Sequence, residues 1–364
     1  MKIINVVGAR PNFMKIAPIM AAYRKHSEMD PILVHTGQHY DTKMCDLFFK
    51  ELGIPEPDLN LGVGSGSHAA QTAAIMIRFE EVISDTRPDT VLVVGDVNST
   101  IACGLVPVKL GIKLVHVEAG LRSFDRTMPE EINRILTDSI SDLLFCTEQS
   151  GVENLLREGI AQEKIHLVGN VMIDTLMKNL SKAESSPILS DMELEEGAYS
   201  VLTLHRPSNV DDPMALQNLI AVLEEIQAND TLVFPVHPRT RKNLQASGLL
   251  ARLESLSGIR LIEPLGYLDF LKLISKAKRV LTDSGGIQEE TTILGIPCLT
   301  LRESTERPVT VDMGTNQVVG TDKKKILSAL RATGNESPTR NRIPPLWDGR
   351  AAERIVDILI KELC

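Results

Sequence analysis

The sequence predicts an α/β protein with two Rossmann-like domains, each a parallel sheet with helices on both faces. Short aliphatic runs alternate with amphipathic segments of helical period along the 364 residues. Hydrophobic residues make up 43% of the chain and aromatic residues only 4%, which is typical of the aliphatic cores of helix-covered parallel sheets. Because one domain usually takes roughly 100–200 residues, this length favours two.

The strand-like runs form two series separated by a polar stretch that starts near residue 183. The first series lies at residues 3–7, 32–35, 90–94, 113–117, 143–146 and 165–168, and the second at residues 200–204, 231–236, 259–262, 279–282 and 297–300. We therefore expect one domain over 1–170 and a second over 171–348, with a final helix at 349–364 that crosses back to the first. Ligands of open parallel sheets bind at the carboxyl ends of the strands, so we expect the active site in the cleft between the domains.

Composition limits the classes of partner. A net charge of −9 argues against binding to nucleic acid or to an anionic membrane surface. No apolar run approaches the ~18 residues of a membrane span, and the amino terminus lacks a signal-peptide pattern. The five cysteines are scattered without a CxxC, which is typical of reduced thiols in the cytoplasm. We expect a cytoplasmic protein that binds neither nucleic acid nor membrane.

Three carboxylates follow strands of the first domain or open the next helix. Asp96 follows the run at 90–94 after Gly95, and Glu118 comes directly after the run at 113–117. Glu130 follows Pro129 in the first turn of a helix, one turn before Arg134. Acids in a first turn are usually only partners of the helix dipole. Carboxylates that cluster at one sheet edge raise one another's pKa, however, which suits a general acid or base near neutral pH.

Basic residues also follow strands. Arg10 and Lys15 come after the first strand and could face a phosphate, although Arg10 could instead only cap a loop. In the second domain His205 and His237 each directly follow a strand. An arginine comes next after His205 and, after one proline, follows His237. Arg307 lies beyond the run at 297–300. We expect this group to include ligand contacts.

The segment LTDSGGIQEE (281–290) combines a glycine-rich helix start with three acids. Ser284, Gly285 and Gly286 open a helix whose backbone N–H groups and dipole favour a phosphate. We expect Asp283 to organise the turn and Glu289 to face solvent or to serve the structure.

Two cofactor classes receive little support. The histidines at 35 and 39 are four residues apart but follow a strand, so they are unlike a helical metal motif and we expect no metal. The glycine-rich segment LGVGSGS (61–67) has no preceding strand, so it is unlike a dinucleotide-binding fingerprint. The YxxxK motif of nicotinamide-dependent sugar epimerases and dehydrogenases does not occur. We therefore expect no nicotinamide cofactor.

Seven motifs together carry a family resemblance. GARPNFMKIAP, VVGDVNST, HVEAGLRS, PEEINR, LHRPSN, LTDSGGIQEE and TERP occur in this order over residues 8 to 308. The chain resembles the non-hydrolysing UDP-N-acetylglucosamine 2-epimerases, which have the GT-B fold. The resemblance implies interconversion of UDP-GlcNAc and UDP-ManNAc without a cofactor, by anti elimination of UDP through 2-acetamidoglucal and re-addition, in a homodimer that supplies sugars for cell-surface polysaccharide.

The resemblance also implies roles for individual residues. The carboxylates at the sugar would be Asp96, Glu118 and Glu130, with Glu131 an open alternative to Glu130, and His205 would lie beside the diphosphate. Glu290 would bind the ribose and Phe270 would line the uracil pocket. The remaining contacts to UDP would come from Arg10, Lys15, Ser284, Gly285, Gly286 and Arg307.

Several alternatives stay open at this point. The sugar could be a UDP-2,3-diacetamido uronic acid, or the chain could be a GT-B glycosyltransferase with a UDP-sugar donor, a hydrolysing epimerase that releases free ManNAc, or a silent nucleotide-sugar sensor. Three carboxylates together favour an epimerase. Gln38 matches part of the regulatory UDP-GlcNAc site of bacterial relatives, whereas Asp41 and Ala70 depart from it.

Overall fold

The computed structural model describes residues 1–38, 51–332 and 342–363. It divides into two compact units, Met1–Lys178 with Pro345–Cys364 and Asn179–Pro344. The boundaries expected from the sequence, 170/171 and 348/349, lie a few residues away. The helix Val171–Ala183 spans the first of these divisions, so no loop marks it.

The first unit contains a parallel sheet of seven strands in the order β3-β2-β1-β4-β5-β6-β7. Its strands are β1 Lys2–Val7, β2 Asp30–His35, β3 Leu59–Asn60, β4 Thr90–Val94, β5 Lys113–Ala119, β6 Leu143–Cys146 and β7 Ile165–Leu167. Its helices are Arg10–Tyr23, His68–Thr86, Asn98–Lys109, Pro129–Ile140, Gln149–Arg157, Val171–Ala183 and Ala351–Leu363, with a 3-10 turn at Gln162–Lys164. The strand order reverses between β1 and β4, where open sheets of this kind bind ligands.

The second unit repeats this plan. Its parallel sheet has six strands in the order β10-β9-β8-β11-β12-β13. The strands are β8 Tyr199–Thr203, β9 Thr231–Pro235, β10 Ile259–Ile262, β11 Arg279–Thr282, β12 Cys298–Thr300 and β13 Asn316–Val318. The helices are Ile188–Asp191, Pro207–Val210, Pro213–Ile226, Pro238–Ala246, Leu249–Glu254, Tyr267–Ser275, Gly285–Leu294, Pro308–Asp312 and Lys323–Ala332. Two parallel sheets with helices confirm the predicted fold class.

The cores are aliphatic, as the composition indicated. In the first unit Ile4, Val91 and Val93 are completely buried against the helices His68–Thr86 and Asn98–Lys109. In the second unit a larger cluster surrounds Leu223 and Leu281. Burial on both faces explains why these strands are continuous apolar runs without polar alternation.

The carboxyl-terminal segment completes the first unit. Trp347 is 1% exposed, and its Nε1 donates to the carbonyl of Thr147 at 2.9 Å. The carboxylate of Asp174 caps the last helix by accepting from the N–H groups of Ala351 at 3.1 Å and Ala352 at 2.7 Å. Burial is the main cause that raises the pKa of Asp174 to about 6. The helix Ala351–Leu363 then packs against Arg10–Tyr23.

None of the helices in the described ranges combines the length and hydrophobicity needed to cross a bilayer. The same residues hold no group of three or more His, Cys, Asp and Glu side chains that could bind a metal ion. His39 and Asp41 lie outside the described residues.

Candidate active site

Glu118 lies on strained backbone at the carboxyl end of β5. Its φ is +73°, in the left-handed region, and the strand register shifts between Val117 and Ala119. A residue with a β-carbon costs roughly 1–2 kcal/mol in this conformation. The side chain is 4% exposed and forms an ion pair with the ammonium of Lys15, which is also buried. Strain that aims a buried carboxylate is typical of functional sites.

Gly95 makes room for this ion pair. It follows β4 with a φ of +69°, and a β-carbon on it would lie 2.8 Å from the Nζ of Lys15. The positive φ therefore favours glycine at this position, and the absence of a side chain leaves room for the Lys15 ammonium. It places the next residue, Asp96, at the same edge of the sheet as Glu118.

Asp96 is held by an arginine that also holds a loop. Arg134 donates from Nη1 to Asp96 Oδ2 at 2.5 Å and from Nη2 to Glu131 Oε2 at 2.6 Å. Glu131 is 1% exposed and also accepts from the backbone N–H groups of Ser123 at 3.0 Å and Phe124 at 2.9 Å. Burial alone would raise the pKa of Glu131, but these hydrogen bonds and Arg134 outweigh it and lower the pKa.

These contacts bear on the choice between Glu130 and Glu131. The carboxylate of Glu131 is occupied by the loop before the helix and by Arg134. Glu130 is half-buried in the same first turn of Pro129–Ile140. Glu131 is therefore a loop anchor.

A buried polar network lies behind the two strand ends. His116 is fully buried, and its ring contacts Asp138 Oδ1 through Nδ1 at 2.6 Å and the carbonyl of Gly95 through Nε2 at 2.8 Å. Asp138 Oδ2 accepts from Gly120 N–H at 3.1 Å and contacts Arg122 Nη1 at 2.7 Å. Burial would raise the pKa of Asp138, but His116 and Arg122 outweigh it and lower the pKa. The network ties the backbone next to Asp96 to the backbone next to Glu118.

In the second unit a buried carboxylate joins the ends of β8 and β11. Asp283 is fully buried and accepts from the backbone N–H groups of His205 at 3.0 Å and Arg206 at 2.9 Å, and from Asn209 Nδ2 at 3.1 Å. Its Oδ1 lies 2.9 Å from Nδ1 of the His205 ring. These contacts of the Asp283 carboxylate thus organise the loop after β8, which the sequence did not reveal, while in its own turn the N–H of Ser284 donates to the Thr282 hydroxyl at 2.9 Å.

The helix Gly285–Leu294 begins beside an arginine. Ser284 is its N-cap residue, and a β-carbon on Gly285 would lie 2.5 Å from Arg307 Nη1. The guanidinium donates to Glu289 Oε1 at 2.5 Å and to Glu306 Oε1 at 2.7 Å. Glu289 is 1% exposed, so of its two expected places the structural one is right and the solvent-facing one is wrong.

Two more arginines surround Glu306. Arg302 Nη1 lies 2.9 Å from Glu306 Oε2, and Arg206 Nη2 lies 3.7 Å from Glu306 Oε1. Burial lowers the pKa of Arg302, and the charges of Arg206 and Arg307 act in the same direction against the opposing effect of Glu306. Three guanidinium groups beside a helix amino terminus give an excess of positive charge that suits a diphosphate.

Glu290 lies one turn further along the same helix. It is 3% exposed and accepts from the hydroxyl of Tyr267 at 3.2 Å. Burial is the main cause that raises its pKa to about 8, and the charge of Glu289 adds to the effect. The side chain is therefore largely protonated at neutral pH in the free protein. Phe270 is partly buried in the helix Tyr267–Ser275 that carries Tyr267.

Comparison with known proteins decides the family. The model of the UDP-N-acetylglucosamine 2-epimerase family matches residues 21–360. The chain belongs to this family. It is 45% identical over 99% of both chains to the UDP-N-acetylglucosamine 2-epimerase of Methanocaldococcus jannaschii. It is 40% identical, over 99% of this chain and 100% of the relative, to the UDP-2,3-diacetamido-2,3-dideoxy-D-glucuronate 2-epimerase of Pseudomonas aeruginosa.

Solved structures agree with this assignment. The crystal structure of the M. jannaschii UDP-GlcNAc 2-epimerase in complex with UDP-GlcNAc and UDP matches this epimerase with a TM-score of 0.94 over 99% of this chain and 100% of that chain, at 45% identity. The fold of the epimerase is thus the GT-B-like one that the motifs implied, and the chain is an isomerase.

The structure places the predicted site residues of this epimerase at the expected sheet edges. In the first unit Lys15, Asp96 and Glu118 lie at or beside the carboxyl ends of β1, β4 and β5. In the second unit His205, Ser284, Gly285, Gly286 and Arg307 follow β8, β11 and β12. The helix Arg10–Tyr23 begins at Arg10, whose side chain lies outside the described part of the structure.

Sequence reasoning missed two charged residues of the site and the partners of two of its carboxylates. Arg302 and Glu306 were not identified, although the alternation of basic and acidic residues in LRESTERP offered a signal. The sequence gave no such signal for the partners of Asp283 and Glu131, because these groups come close to the two carboxylates only when the chain has folded.

Proposed function

We propose that this epimerase interconverts UDP-GlcNAc and UDP-ManNAc. The observation that carries the proposal is the 45% identity, over 99% of both chains, to an enzyme named for UDP-N-acetylglucosamine. The polar residues at the two sheet edges suit this substrate. The first unit offers carboxylates for the sugar, and the second offers arginines and a helix amino terminus for the diphosphate.

Chemistry at C2 of the sugar explains why carboxylates are needed. C2 bears an amide nitrogen and no oxidisable hydroxyl, so the proposed route begins with removal of the C2 proton by a carboxylate. The C–H electrons form the C1–C2 double bond while the C1–O bond breaks and its electrons leave with UDP. UDP then adds again to 2-acetamidoglucal as C2 is protonated on the opposite face. Asp96, Glu118 and Glu130 are the proposed acids and bases.

The ion pairs of the first unit give these groups fixed positions. Lys15 holds Glu118, and Arg134 holds Asp96, so neither carboxylate has to be reoriented when the sugar binds. Preorganised charges of this kind stabilise a transition state without a reorganisation cost at the moment of reaction.

The second unit would stabilise the leaving group. We assign His205, Arg307 and the helix start at Ser284, Gly285 and Gly286 to the diphosphate, together with Arg10 and Lys15 from the first unit. Glu290 is assigned to the ribose and Phe270 to the uracil. Arg307 is supported in this role by its place beside Gly285 at the start of this helix, where a β-carbon would lie 2.5 Å from its Nη1.

Deuterium exchange at C2 tests the function. Purified protein with UDP-GlcNAc in D2O, without nicotinamide, should yield both UDP-sugar epimers labelled at C2, measured by proton NMR. Asp96→Asn should abolish the labelling, whereas Asp85→Asn, at an exposed position in the helix His68–Thr86, should not affect it. Absence of exchange in the wild-type protein would refute the proposal. Accumulation of free ManNAc would instead indicate a hydrolysing enzyme.

A second candidate substrate is the UDP-2,3-diacetamido uronic acid. The P. aeruginosa relative named for that sugar is 40% identical over almost the full length, close to the value for the UDP-GlcNAc enzyme. The same exchange experiment with both sugars, compared as kcat/KM, decides between them. Exchange at least tenfold faster with the diacetamido sugar would assign the chain to it.

We also propose a cytoplasmic homodimer that supplies amino sugars for cell-surface polysaccharide. Cys103, Cys146 and Cys298 are buried free thiols, which suits a reducing compartment. Light scattering after size-exclusion chromatography should give twice the mass of the 40.0 kDa chain. A monomeric mass would contradict the dimer.

A further inference from the structure

We propose that Asp283 is a positioning residue that orients His205 and stabilises its imidazolium form, so that the doubly protonated ring presents the Nε2 proton to the departing diphosphate. The inference rests on the proposed function, because it assigns His205 to the leaving group. It adds a partner for His205 that the motifs did not suggest.

The sheet places the two residues side by side. β8 and β11 are neighbouring parallel strands in which Thr203 is paired with Thr282. Their hydroxyls lie 2.6 Å apart, which locks the register at the strand ends. Asp283 is the next residue after β11, and His205 is the second residue after β8. Asp283 is fully buried, whereas 38% of the His205 side chain is exposed to a ligand.

The two carboxylate oxygens have separate tasks. Oδ2 accepts from the backbone N–H groups of His205 at 3.0 Å and Arg206 at 2.9 Å and from Asn209 Nδ2 at 3.1 Å, which fixes the loop; the N–H of His205 also lies 3.1 Å from Oδ1. Oδ1 faces Nδ1 of the His205 ring at 2.9 Å. An ionised carboxylate only accepts hydrogen bonds, so Nδ1 must carry its proton. Nε2 is then the nitrogen that gains or loses a proton.

The charges around the ring favour this assignment. Asp283 is the anion that contacts the ring, and it approaches from β11. From β9, the ring of His237 lies 6.0 Å away between centroids, and Nδ1 of His237 accepts from the N–H of Arg239 at 3.2 Å. Arg206 follows on the same loop and lies 3.7 Å from Glu306. His237, if protonated, and Arg206 oppose a positive charge on His205, so a buried anion is needed to sustain it.

Ionisation of Asp283 is consistent with this role. Burial alone would raise the pKa of Asp283, but the hydrogen bonds and charge of His205, with the N–H of Arg206, outweigh it and lower the pKa. The carboxylate is therefore charged at neutral pH. When both nitrogens of His205 carry a proton, the positively charged ring lies between Asp283 and the leaving group. There it stabilises the negative charge that develops on the diphosphate.

Asp283→Asn separates the two tasks of the carboxylate. The amide oxygen can occupy the Oδ2 position and keep the contacts to Arg206 and Asn209. The amide NH2 then takes the Oδ1 position and donates to Nδ1, which must become an acceptor. This forces the neutral Nε2–H tautomer and disfavours the imidazolium, with little change to the loop.

The ring can be observed directly in the free protein. In wild-type protein labelled with 15N on histidine, the neutral form of His205 should be the Nδ1–H tautomer, assigned by comparison with His205→Gln. In Asp283→Asn it should become the Nε2–H tautomer. A neutral Nε2–H tautomer in the wild-type protein would overturn the inference without any need for the variant to fold.

Kinetics then tests the consequence for catalysis. Asp283→Asn should lower kcat roughly 10- to 100-fold, should change KM less than threefold, and should move the high-pH decline of kcat to lower pH. Asn209→Ala is the matched control, because it removes a partner of Oδ2 but leaves Oδ1 on the ring; its pH profile should keep the wild-type midpoint. In a His205→Gln background Asp283→Asn should lower kcat no further.

The outcomes separate this inference from the proposed function. Absence of C2 exchange in the wild-type protein refutes the function, while the tautomer measurement stands on its own. An active wild-type enzyme whose Asp283→Asn variant keeps the wild-type pH profile refutes the inference alone. An equal loss of kcat in the wild-type and His205→Gln backgrounds would also refute it, since the effect would then not pass through His205.

Discussion

Replacing Asp138 by asparagine tests whether the network behind Asp96 and Glu118 stabilises the first unit. Both ring nitrogens of His116 face oxygen atoms, on Asp138 and on the carbonyl of Gly95. Asp138 is therefore the buried partner of the His116 ring and, through its second oxygen, the buried counter-charge of Arg122. Asparagine keeps the shape of the side chain but removes that charge.

The expected loss in the free energy of unfolding depends on which partner Arg122 keeps in Asp138→Asn. Removing one partner of a buried ion pair typically costs about 3–5 kcal/mol. Arg122 keeps its second partner, Glu158, at 2.6 Å, so we expect the lower end, ~3 kcal/mol. For a unit of about 200 residues, 1 kcal/mol corresponds to roughly 2–4 °C in Tm, which gives a decrease of roughly 6–12 °C.

Urea unfolding followed by tryptophan fluorescence measures this effect in the first unit, because the chain has a single tryptophan, Trp347, and it belongs to that unit. Glu158→Gln is the matched control. Its carboxylate is 37% exposed, so its loss should cost at most about 1 kcal/mol. A loss of stability in Asp138→Asn no larger than in Glu158→Gln would refute the reasoning.

The pH dependence has a definite sign. The pKa of Asp138 is lowered in the folded state. Its contribution is therefore complete above the pKa of an unfolded aspartate, about 3.9, and is lost as the pH falls through the lower folded value. The difference between wild-type protein and Asp138→Asn should be constant from neutral pH down to about 5 and should shrink only in stronger acid.

Three further predictions concern single positions. Gly120 has a φ of +81°, and a β-carbon on it would lie 2.3 Å from a carbonyl oxygen. Gly120→Ala should therefore lower the urea midpoint of unfolding far more than the control Gly111→Ala, where φ is +74° but no atom lies near the β-carbon. Equal decreases in the two variants would exclude the steric effect. Trp347→Phe leaves a carbonyl without its donor and should cost about 1–3 kcal/mol in thermal unfolding; an unchanged Tm would contradict the contact. The pKa of Glu290 is raised from 4.5 to about 8, so stability is lost as the pH rises from the lower value to the higher and stays reduced above it. At pH 9 Glu290→Gln should then have a higher Tm than the wild-type protein, but calorimetry should show a weaker affinity for UDP. A Tm below that of the wild-type protein at pH 9 would show that burial does not raise the pKa of Glu290.

The sequence predicted the fold well because buried parallel strands leave a strong signal. The aliphatic runs identified all strands except two, β3 and β13, among the described residues. β3 is the pair Leu59–Asn60, with both residues exposed, and β13 is Asn316–Val318, with a polar start. Neither has the length or the apolar pattern that marks a buried strand.

The site was predicted less completely, for a reason that the contacts make plain. A rule based on strand ends identified Asp96, Glu118 and His205, because it depends only on position along one element. The partners that fix these side chains come from other elements: Asp283 is 78 residues from His205, and Arg134 is 38 residues from Asp96. Spacing along the chain does not encode such pairs.

The choice between Glu130 and Glu131 shows the same limit. Both occupy the first turn of one helix, so periodicity treats them alike. What distinguishes them is the preceding loop, whose backbone N–H groups at Ser123 and Phe124 bind one of the two carboxylates. That information exists only after the loop has folded back on the helix.

The return of the carboxyl-terminal segment has a consequence for biosynthesis. Asp174 binds Ala351, and Thr147 binds Trp347. The unit that is translated first therefore lacks these partners until residues 347–351 have been synthesised. The unit translated second, Asn179–Pro344, has all of its own strands available earlier than that. A chain interrupted before Trp347 would therefore carry Asp96, Glu118 and Glu130 on a first unit that still lacks the contacts of Trp347 and of the helix Ala351–Leu363.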